Sequence, residues 1–521
     1  MKRIFLVPAF FALSLAVALS GCGSSGSSVP NSGAGGTSGG GTTGSTGNSI
    51  LSGKYAFSLT GSATETGAPI FEAGSFTADG NGNITAGEED LNILPSNITA
   101  ASQVKGATFT GTYSIGSDGR GLLTFTTLSQ TYKIVIENGG HGQLIRFDSG
   151  AAGSGTFDLQ TTSAFTLSAL QQGNFVFEWN GFDPSDSDAP ISGIGGITLS
   201  GASASGAGDF NDGGTYVQAT ASTTLTAPDT NGHGTATIVY GFSTPITVTY
   251  GYDIISASRI LLIETDATFG TVGEADAQSS GLTATSLSGN YALSLGGENT
   301  VGVVGLAGRI AASGGSITSS DVVENDNFAT AAGTFTSGIY TASNVVGTTT
   351  VSGRFLLSAT DPSLSADNFA VYLISPSKAM VMETDSSQLL FGQMLTQTLS
   401  SFTSGSLSGN YGMNFSGFDS SFFEADVLGQ FTSSGASTLT AGTVDINYQA
   451  LTTPTVPNNA ISGGSYVVVT DATGHGTLTF TADSVAFAFH FYFVSPNQIF
   501  LVETDHEFVS TGSALSQPTI P

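Results

Sequence analysis

Cysteine is almost absent: Cys22 stands alone among 521 residues. A lone cysteine excludes an internal disulfide framework and any cysteine-built metal centre. Basic residues are scarce as well. Eleven Lys and Arg face 39 Asp and Glu, a net charge of −28. That balance excludes nucleic acid as a partner, since phosphates demand basic patches. Charged residues of both signs make up only 10% of the chain, which is unlike a cytosolic enzyme. After the first twenty residues no stretch of ten keeps a helical period, so a helical body is excluded too. What is present is Gly (71 residues), abundant Ser and Thr, 35 Phe and 14 Tyr. This is the composition of an extracellular β-protein with many tight turns.

The chain begins Met1-Lys2-Arg3, continues through an almost wholly apolar stretch over 4–19, and reaches small residues before Cys22. This order is that of an export signal, and the apolar run is too short and too early for a membrane span. Leu19-Ser20-Gly21-Cys22 resembles the lipobox of bacterial lipoproteins. The resemblance implies cleavage after Gly21, diacylation of the Cys22 sulfur by palmitate-like chains, and acylation of the new N-terminus. Several chains on one residue hold firmly, at roughly 0.8 kcal/mol per buried methylene. Gly23, where an Asp would retain such a protein at the inner membrane, implies the outer membrane in a bacterium that has two. Two of the eleven bases leave with the signal, so nine face 39 acids in the mature chain, a net charge of −30. Residues 23–49 are nearly all Gly, Ser and Thr and read as a flexible tether reaching about 30 Å.

Repetition organises the rest. Leu51-Ser52-Gly53-Lys54-Tyr55 returns at Leu287–Tyr291 and Leu407–Tyr411, with a looser copy at Gly173-Asn174-Phe175. Glu264-Thr265-Asp266 returns as Glu383-Thr384-Asp385 and Glu503-Thr504-Asp505, and Arg146-Phe147-Asp148 takes that place in the first copy. Each copy closes near a glutamine: Gln160, Gln278, Gln397 and Gln517. The markers share a period of about 119 residues, long enough for each copy to bury its own core. The predicted organisation is a signal at 1–21, lipidated Cys22 and tether at 22–49, and β-units at 50–160, 170–278, 287–397 and 407–517. They are expected in a row, joined by short Ser/Thr segments.

Within a unit the strands alternate. Tyr55, Phe57 and Leu59 share one face, as do Phe175, Phe177 and Trp179, and Phe487, Phe489, Phe491 and Phe493. Period two with aromatics on one side predicts half-buried strands. Turns such as Asp79-Gly80-Asn81-Gly82 separate them. The first unit divides into about eight strands, over 54–60, 70–78, 83–92, 106–115, 121–128, 131–138, 143–148 and 154–160. The fold class is therefore all-β: four tandem antiparallel meanders, as small up-and-down barrels or, alternatively, β-sandwiches. Closure into barrels removes exposed edges. The Gly-x-aromatic opening, as in Gly53-Lys54-Tyr55, resembles that of the calycin group of lipocalins and avidins. This implies architecture only, and no binding residue transfers. Strands of about seven residues, and polar outer faces, argue against a pore, whose strands need about 9–11.

The Glu-Thr-Asp marker is the foremost candidate site. On a strand Glu264 and Asp266 share a face with Ile260 and Leu262, while Leu261 and Ile263 make the opposite face apolar too. One face must therefore meet something other than solvent. Inward-facing acids at Glu264, Asp266, Glu383, Asp385, Glu503 and Asp505 would form a ligand or cation site, with calcium the ion expected. Outward-facing acids would rim a contact with a neighbouring unit. The plainest alternative is a strand leaving the core whose acids bond turn amides. Asp79, Asn81, Asn83 and Asp90 resemble the oxygen spacing of a calcium loop, but Ile84 stands where that loop needs glycine, so a hairpin turn is expected. The slot held by His233, His475, Arg120 and Val346 reads as an exposed turn rather than a metal site. No nucleophile elbow, phosphate loop or dinucleotide fingerprint occurs, so no catalytic residue is assigned.

The function expected is that of a lipid-anchored cell-envelope or surface protein, a non-enzymatic spacer, adhesion or interaction array with a protein or glycan partner. The alternatives are small-ligand or cation-binding barrels and, less favoured, an extracytoplasmic hydrolase. The interior discriminates: a cavity of several hundred Å³ with inward acids favours binding, whereas close packing of Phe177, Trp179, Phe487 and Phe489 favours the array.

Overall fold

A computed structural model describes residues 46–520 apart from 97–100, 187, 284, 300, 336, 361–367, 387, 452 and 472. The signal at 1–21, Cys22 and the tether up to residue 45 lie outside the described residues. The strands of the first unit are Ser52–Ala63, Pro69–Asp79, Asn83–Ile93, Ser102–Ile115, Arg120–Phe125, Gln130–Ile136, His141–Arg146 and Ala151–Leu159. Each pairs antiparallel with the next, and the eighth pairs with the first, Phe57 opposite Phe157, to close a barrel. The second unit closes the same way from Gly173–Asp183 to Gly270–Ala277. In the third, an eight-stranded ring runs from Gly289–Asn299 to Gln388–Thr396. The fourth, from Ser408–Asp419 to Phe508–Ser516, is nearly closed. Its two end strands, Thr455–Ala460 and Ser462–Val468, are not laddered to each other, and one isolated pair, Thr438 with Ser465, spans the gap. The architecture is thus four tandem antiparallel barrels, not sandwiches. Helix among the described residues is confined to 3-10 turns of five residues at most.

Alternation places the aromatics inside. Tyr55, Phe57, Leu59, Phe76, Phe125 and Phe157 make the first core, and Phe109 stacks on Phe125 with ring centres 4.0 Å apart. Each large side chain so buried stabilises by roughly 1.5–3 kcal/mol relative to exposure. The opening motif has a physical basis. Leu51, Leu170, Leu287 and Leu407 are buried at the barrel bases. Gly53, Gly173, Gly289 and Gly409 all take φ between +114° and +127°, a region that residues with a Cβ rarely adopt.

Two expectations about length change. The first four strands of the first unit run 11–14 residues, so strand length does not argue against a pore. The inner faces do, because they are packed with apolar side chains instead of lining a polar lumen. The end of the predicted tether is also ordered: Thr46–Ile50 forms a 3-10 turn, and Asn48 is buried, its Oδ1 accepting from the Ile115 amide at 2.8 Å.

Substituting Gly289→Ala tests the motif cleanly, since nothing lies within 4 Å of the added Cβ. Only backbone strain is introduced, on the order of 1–3 kcal/mol. The chemical-denaturation midpoint of the third barrel should fall accordingly, while Ser288→Ala leaves it unchanged.

Candidate functional site

The two-faced strand of the Glu-Thr-Asp marker is the seventh of each barrel: His141–Arg146, Arg259–Glu264, Lys378–Glu383 and Gln498–Glu503. Ile260 and Leu262 join the interior of their own barrel. Leu261 and Ile263 pack on the outside of the preceding barrel, against Ala56 and against Phe71, Ala73 and Leu94. Met380 and Met382 pack likewise on Val176, Ile194 and Ala207. Phe500 and Val502 meet Ala292, Ala307 and Val323. In the first barrel Val135 and Ile145 meet Leu428 of the fourth. The outer faces expected to be polar are therefore apolar at these seams. The units do not form an open row: seams join barrels 1–2, 2–3, 3–4 and 4–1, a closed cycle.

Three polar devices recur at every seam. First, a buried asparagine of one barrel donates to the turn of the next. Asn92 Nδ2 reaches the Glu264 and Phe269 carbonyls, both at 3.1 Å. Asn211 reaches Glu383 O at 3.1 Å and Asn325 reaches Glu503 O at 2.8 Å. Asn447 returns to Arg146 O at 2.7 Å and Ala151 O at 2.9 Å, 301 and 296 residues away. Second, the closing glutamines donate across the seam: Gln160 to Ile254 O at 2.8 Å, Gln278 to Leu373 O at 2.6 Å, Gln397 to Phe493 O at 2.9 Å, and Gln517 to Asp118 O at 3.0 Å. Third, a basic side chain meets an aspartate of the preceding barrel. His233 lies 3.6 Å from Asp90, Arg354 forms a bidentate pair with Asp209 at 2.6 and 2.7 Å, His475 lies 2.9 Å from Asp321, and Arg120 lies 2.7 Å from Asp445.

The slot of His233, His475 and Arg120 is thus a seam position, not the exposed turn expected. Burial alone would lower the His233 imidazole, but Asp253, Asp90 and Glu88 outweigh it and raise it to about 9. His475 also bonds His490 through its other ring nitrogen at 2.6 Å. Among the described residues no three His, Cys, Asp or Glu side chains are grouped to hold a metal ion.

The candidate acids take two separate places. Asp266, Asp385 and Asp505 act at the turn. Asp266 accepts the Thr249 amide at 2.5 Å and the Thr268 amide at 2.9 Å. Asp385 accepts the Asn368 amide at 2.9 Å. Asp505 accepts the amides of Ala488 at 3.1 Å and Glu507 at 2.9 Å. Asp148 does the same with Thr131 and Gly150. Glu264, Glu383 and Glu503 instead turn inward and are fully buried. Glu264 accepts the Phe269 amide at 2.6 Å and the Thr271 hydroxyl at 2.9 Å. Glu383 accepts the Leu390 amide at 3.2 Å, and Glu503 accepts the Ser510 hydroxyl. Burial, with the adjacent Asp385, pushes the Glu383 carboxyl up to about 9. Glu264 and Glu503 are raised well above the usual range for the same reason. The calcium-like spacing at 79–83 is a hairpin: Asp79 Oδ1 accepts the amides of Asn81 at 2.7 Å and Asn83 at 3.0 Å.

A further site was not foreseen. His141, Arg259, Lys378 and Gln498 open the seventh strands, and all four line one polar cavity of about 440 Å³ shared by the four barrels. Arg259 bridges Asp158 at 3.0 Å and Glu274 at 2.7 Å. Lys378 bridges Glu274 at 3.0 Å and Asp276 at 2.6 Å. Burial opposes charge on Glu274, but the two cations hold its carboxyl well below the usual range.

No family model matches this chain, and no curated protein does. Among solved structures, the intact Ap-TbpB, with N and C lobes, aligns over 90% of this chain and 96% of its own at 9% identity, with a TM-score of 0.19. The isotype 1 transferrin binding protein B from serogroup B Neisseria meningitidis aligns over 73% of this chain and 84% of its own, at 8% identity and a TM-score of 0.18. Kievitone hydratase from Nectria haematococca aligns over 43% of this chain and 89% of its own, with the same identity and TM-score. Likenesses this slight assign no function.

Two measurements test the seams and the buried acids. Arg354→Ala leaves Asp209 buried without its guanidinium partner, which should cost about 3–5 kcal/mol and lower the thermal midpoint. Glu383 is raised in the folded state, so its contribution is full below its ordinary pKa near 4.5 and is lost as pH rises through about 9. Glu383→Gln should therefore flatten the fall in stability over that window, read as denaturation midpoints at stepped pH. An unchanged slope would refute the assignment.

Proposed function

We propose that this chain is a lipid-anchored protein of the bacterial cell envelope, at the outer membrane where there are two. In this reading it is non-enzymatic and presents its four barrels as one rigid body to a protein or glycan partner. The cycle of four equivalent seams supports this most directly. A spacer or adhesive array gains from units that swing independently; here the recurring side chains lock neighbouring units together. Six of the nine mature cations, Lys54, Arg120, Lys133, Arg259, Arg354 and Lys378, reach across to another barrel, so the repeats serve assembly. Glu264, Glu383 and the three turn aspartates enter as structural groups rather than as a calcium site.

The rigid body and the anchor are tested separately. Cys22 is the only cysteine, so a Cys22→Ala chain accepts spin labels at Glu65→Cys in the first barrel and Ser420→Cys in the fourth, both exposed. Pulsed electron resonance should give one narrow distance distribution, whereas a broad one would restore the swinging array. In cells, Cys22→Ala should abolish incorporation of a palmitate analogue and move the protein to the soluble fraction. Label retained on that variant would defeat the anchor.

A further inference from the structure

The four barrels are not equally filled beside the Glu-Thr-Asp turn. In the first, Arg146 occupies the space, paired with Glu72 and lying over the Tyr132 ring. In the second, Trp179, Phe210, Tyr240 and Phe269 pack together, and Trp179 Nε1 donates to Tyr240 Oη at 2.9 Å. A small void of about 50 Å³ in that barrel is lined by Leu170, Leu199 and Leu225 among others, and neither Glu264 nor Phe269 borders it. In the fourth barrel the Trp179 position is Phe415 and the Phe210 position is Ile446, by the spacing of 236 residues that also relates Asp209 to Asp445 and Asn211 to Asn447. Beside its turn the fourth barrel holds a pocket of about 230 Å³, walled by Phe415, Val427, Ile446, Phe487 and Phe508, with Glu503 among its lining. Fourth is also the barrel whose wall is spanned by a single isolated pair.

Glu503 is fully buried. One carboxyl oxygen accepts from Ser510, Oε1 is buried without a hydrogen bond, and Asp505 lies beside the carboxyl. Asp483 joins the pocket lining, while no Lys or Arg among the described residues lines it. Tyr448, also in the lining, donates to Asp419 at 2.7 Å.

We propose that this pocket binds a small, mostly apolar primary amine, its ammonium on Glu503 Oε1 and its hydrocarbon part among the aromatic walls. Size fits: an apolar cavity of roughly 150 Å³ accepts benzene, so 230 Å³ accommodates a ring with a two-carbon amine. Charge fits as well. The mature chain is strongly acidic, which concentrates small cations near it, and the aromatic faces of Phe415, Phe487 and Phe508 attract an ammonium. A ligand carboxylate would meet Asp483 and Glu503 without a cation to pair with. A neutral alcohol would satisfy Oε1 but gain nothing from charge. An amine answers both the free oxygen and the acidic surroundings: entering as the free base, it takes the proton that burial favours on Glu503, and the ammonium–carboxylate pair so formed is the stronger, charge-assisted bond.

The test is calorimetric titration of the full mature chain with 2-phenylethylamine, 2-phenylethanol and 3-phenylpropanoate. The amine should bind at one site per chain. The alcohol should bind about tenfold or more weakly, as expected for loss of one charge-assisted hydrogen bond, and the acid should not bind. Glu503→Gln should lower amine affinity to that of the alcohol and leave the alcohol unchanged. Ile446→Phe, which restores the second barrel's residue and fills the space without removing a core contact, should abolish both. Absence of amine binding to the wild type, equal binding of amine and alcohol, or amine binding that survives Ile446→Phe would each overturn the proposal. If Glu503→Gln fails to fold, Ile446→Phe together with the alcohol comparison still decides it.

Discussion

A buried asparagine amide, offered by each barrel to the carbonyls of the next barrel's turn, is the contact on which the assembly depends. Asn92, Asn211, Asn325 and Asn447 are all fully buried, and a buried amide must find partners or destabilise its surroundings by roughly 1–3 kcal/mol. The acceptors lie only where the Glu-x-Asp turn has the right shape. That shape is set by the aspartate, which gathers amides of the turn and of the strand 17 residues upstream. The glutamate beside it points the other way and closes the barrel. One three-residue marker thus shapes a turn, plugs a core and docks a neighbour, which explains why it recurs through units that otherwise diverge.

Closure follows from equivalence. Each seam uses the same strand faces and the same polar devices, so each barrel docks on the preceding one through equivalent contacts. The fourth such docking returns the chain to its first barrel, where Asn447 and Gln517 find in unit 1 what Asn92 and Gln160 find in unit 2. The fourth seam joins segments 260 to 399 residues apart. The entropy of closing so long a loop grows only logarithmically with its length, so one more seam of ordinary strength suffices. A closed cycle also leaves no end barrel with an uncovered apolar face such as Phe500 and Val502. That removes the need for the polar capping units that open repeat arrays require.

The sequence made the barrels legible because a barrel is written in local alternation: Tyr55, Phe57 and Leu59 declare their face without reference to anything distant. The repeat markers were equally visible, and so was the oddity that Leu261 and Ile263 are apolar opposite Ile260 and Leu262. The identity of the surface that covers them was hidden, because it lies a full period or more away. A signal for it existed in Asp90-Leu91-Asn92, Asp209-Phe210-Asn211 and Asp445-Ile446-Asn447, a fourth marker at the same period. The third unit breaks it, with Asp321 and Asn325 serving separately. The histidines misled for a related reason. His, Arg and Val in one slot suggest tolerance at a surface, yet His233, His475 and Arg120, and an arginine at a different position, Arg354, each place a ring or guanidinium nitrogen against an aspartate across a seam.

The same logic separates structure from function across the molecule. Where four copies keep a residue in register, assembly already accounts for it, as with the asparagines, glutamines and turn aspartates. Where they differ, that constraint is lifted. The His141, Arg259, Lys378 and Gln498 positions carry four different side chains around one shared cavity. The mouth that holds Arg146 in one barrel and Trp179 in another is left open in the fourth. A ring of like parts needs only its seams to be alike; the interior of each barrel and the surface they share are free to diverge. Chemistry specific to this protein therefore belongs at those unlike positions, and the repeated motif is the frame that holds them still.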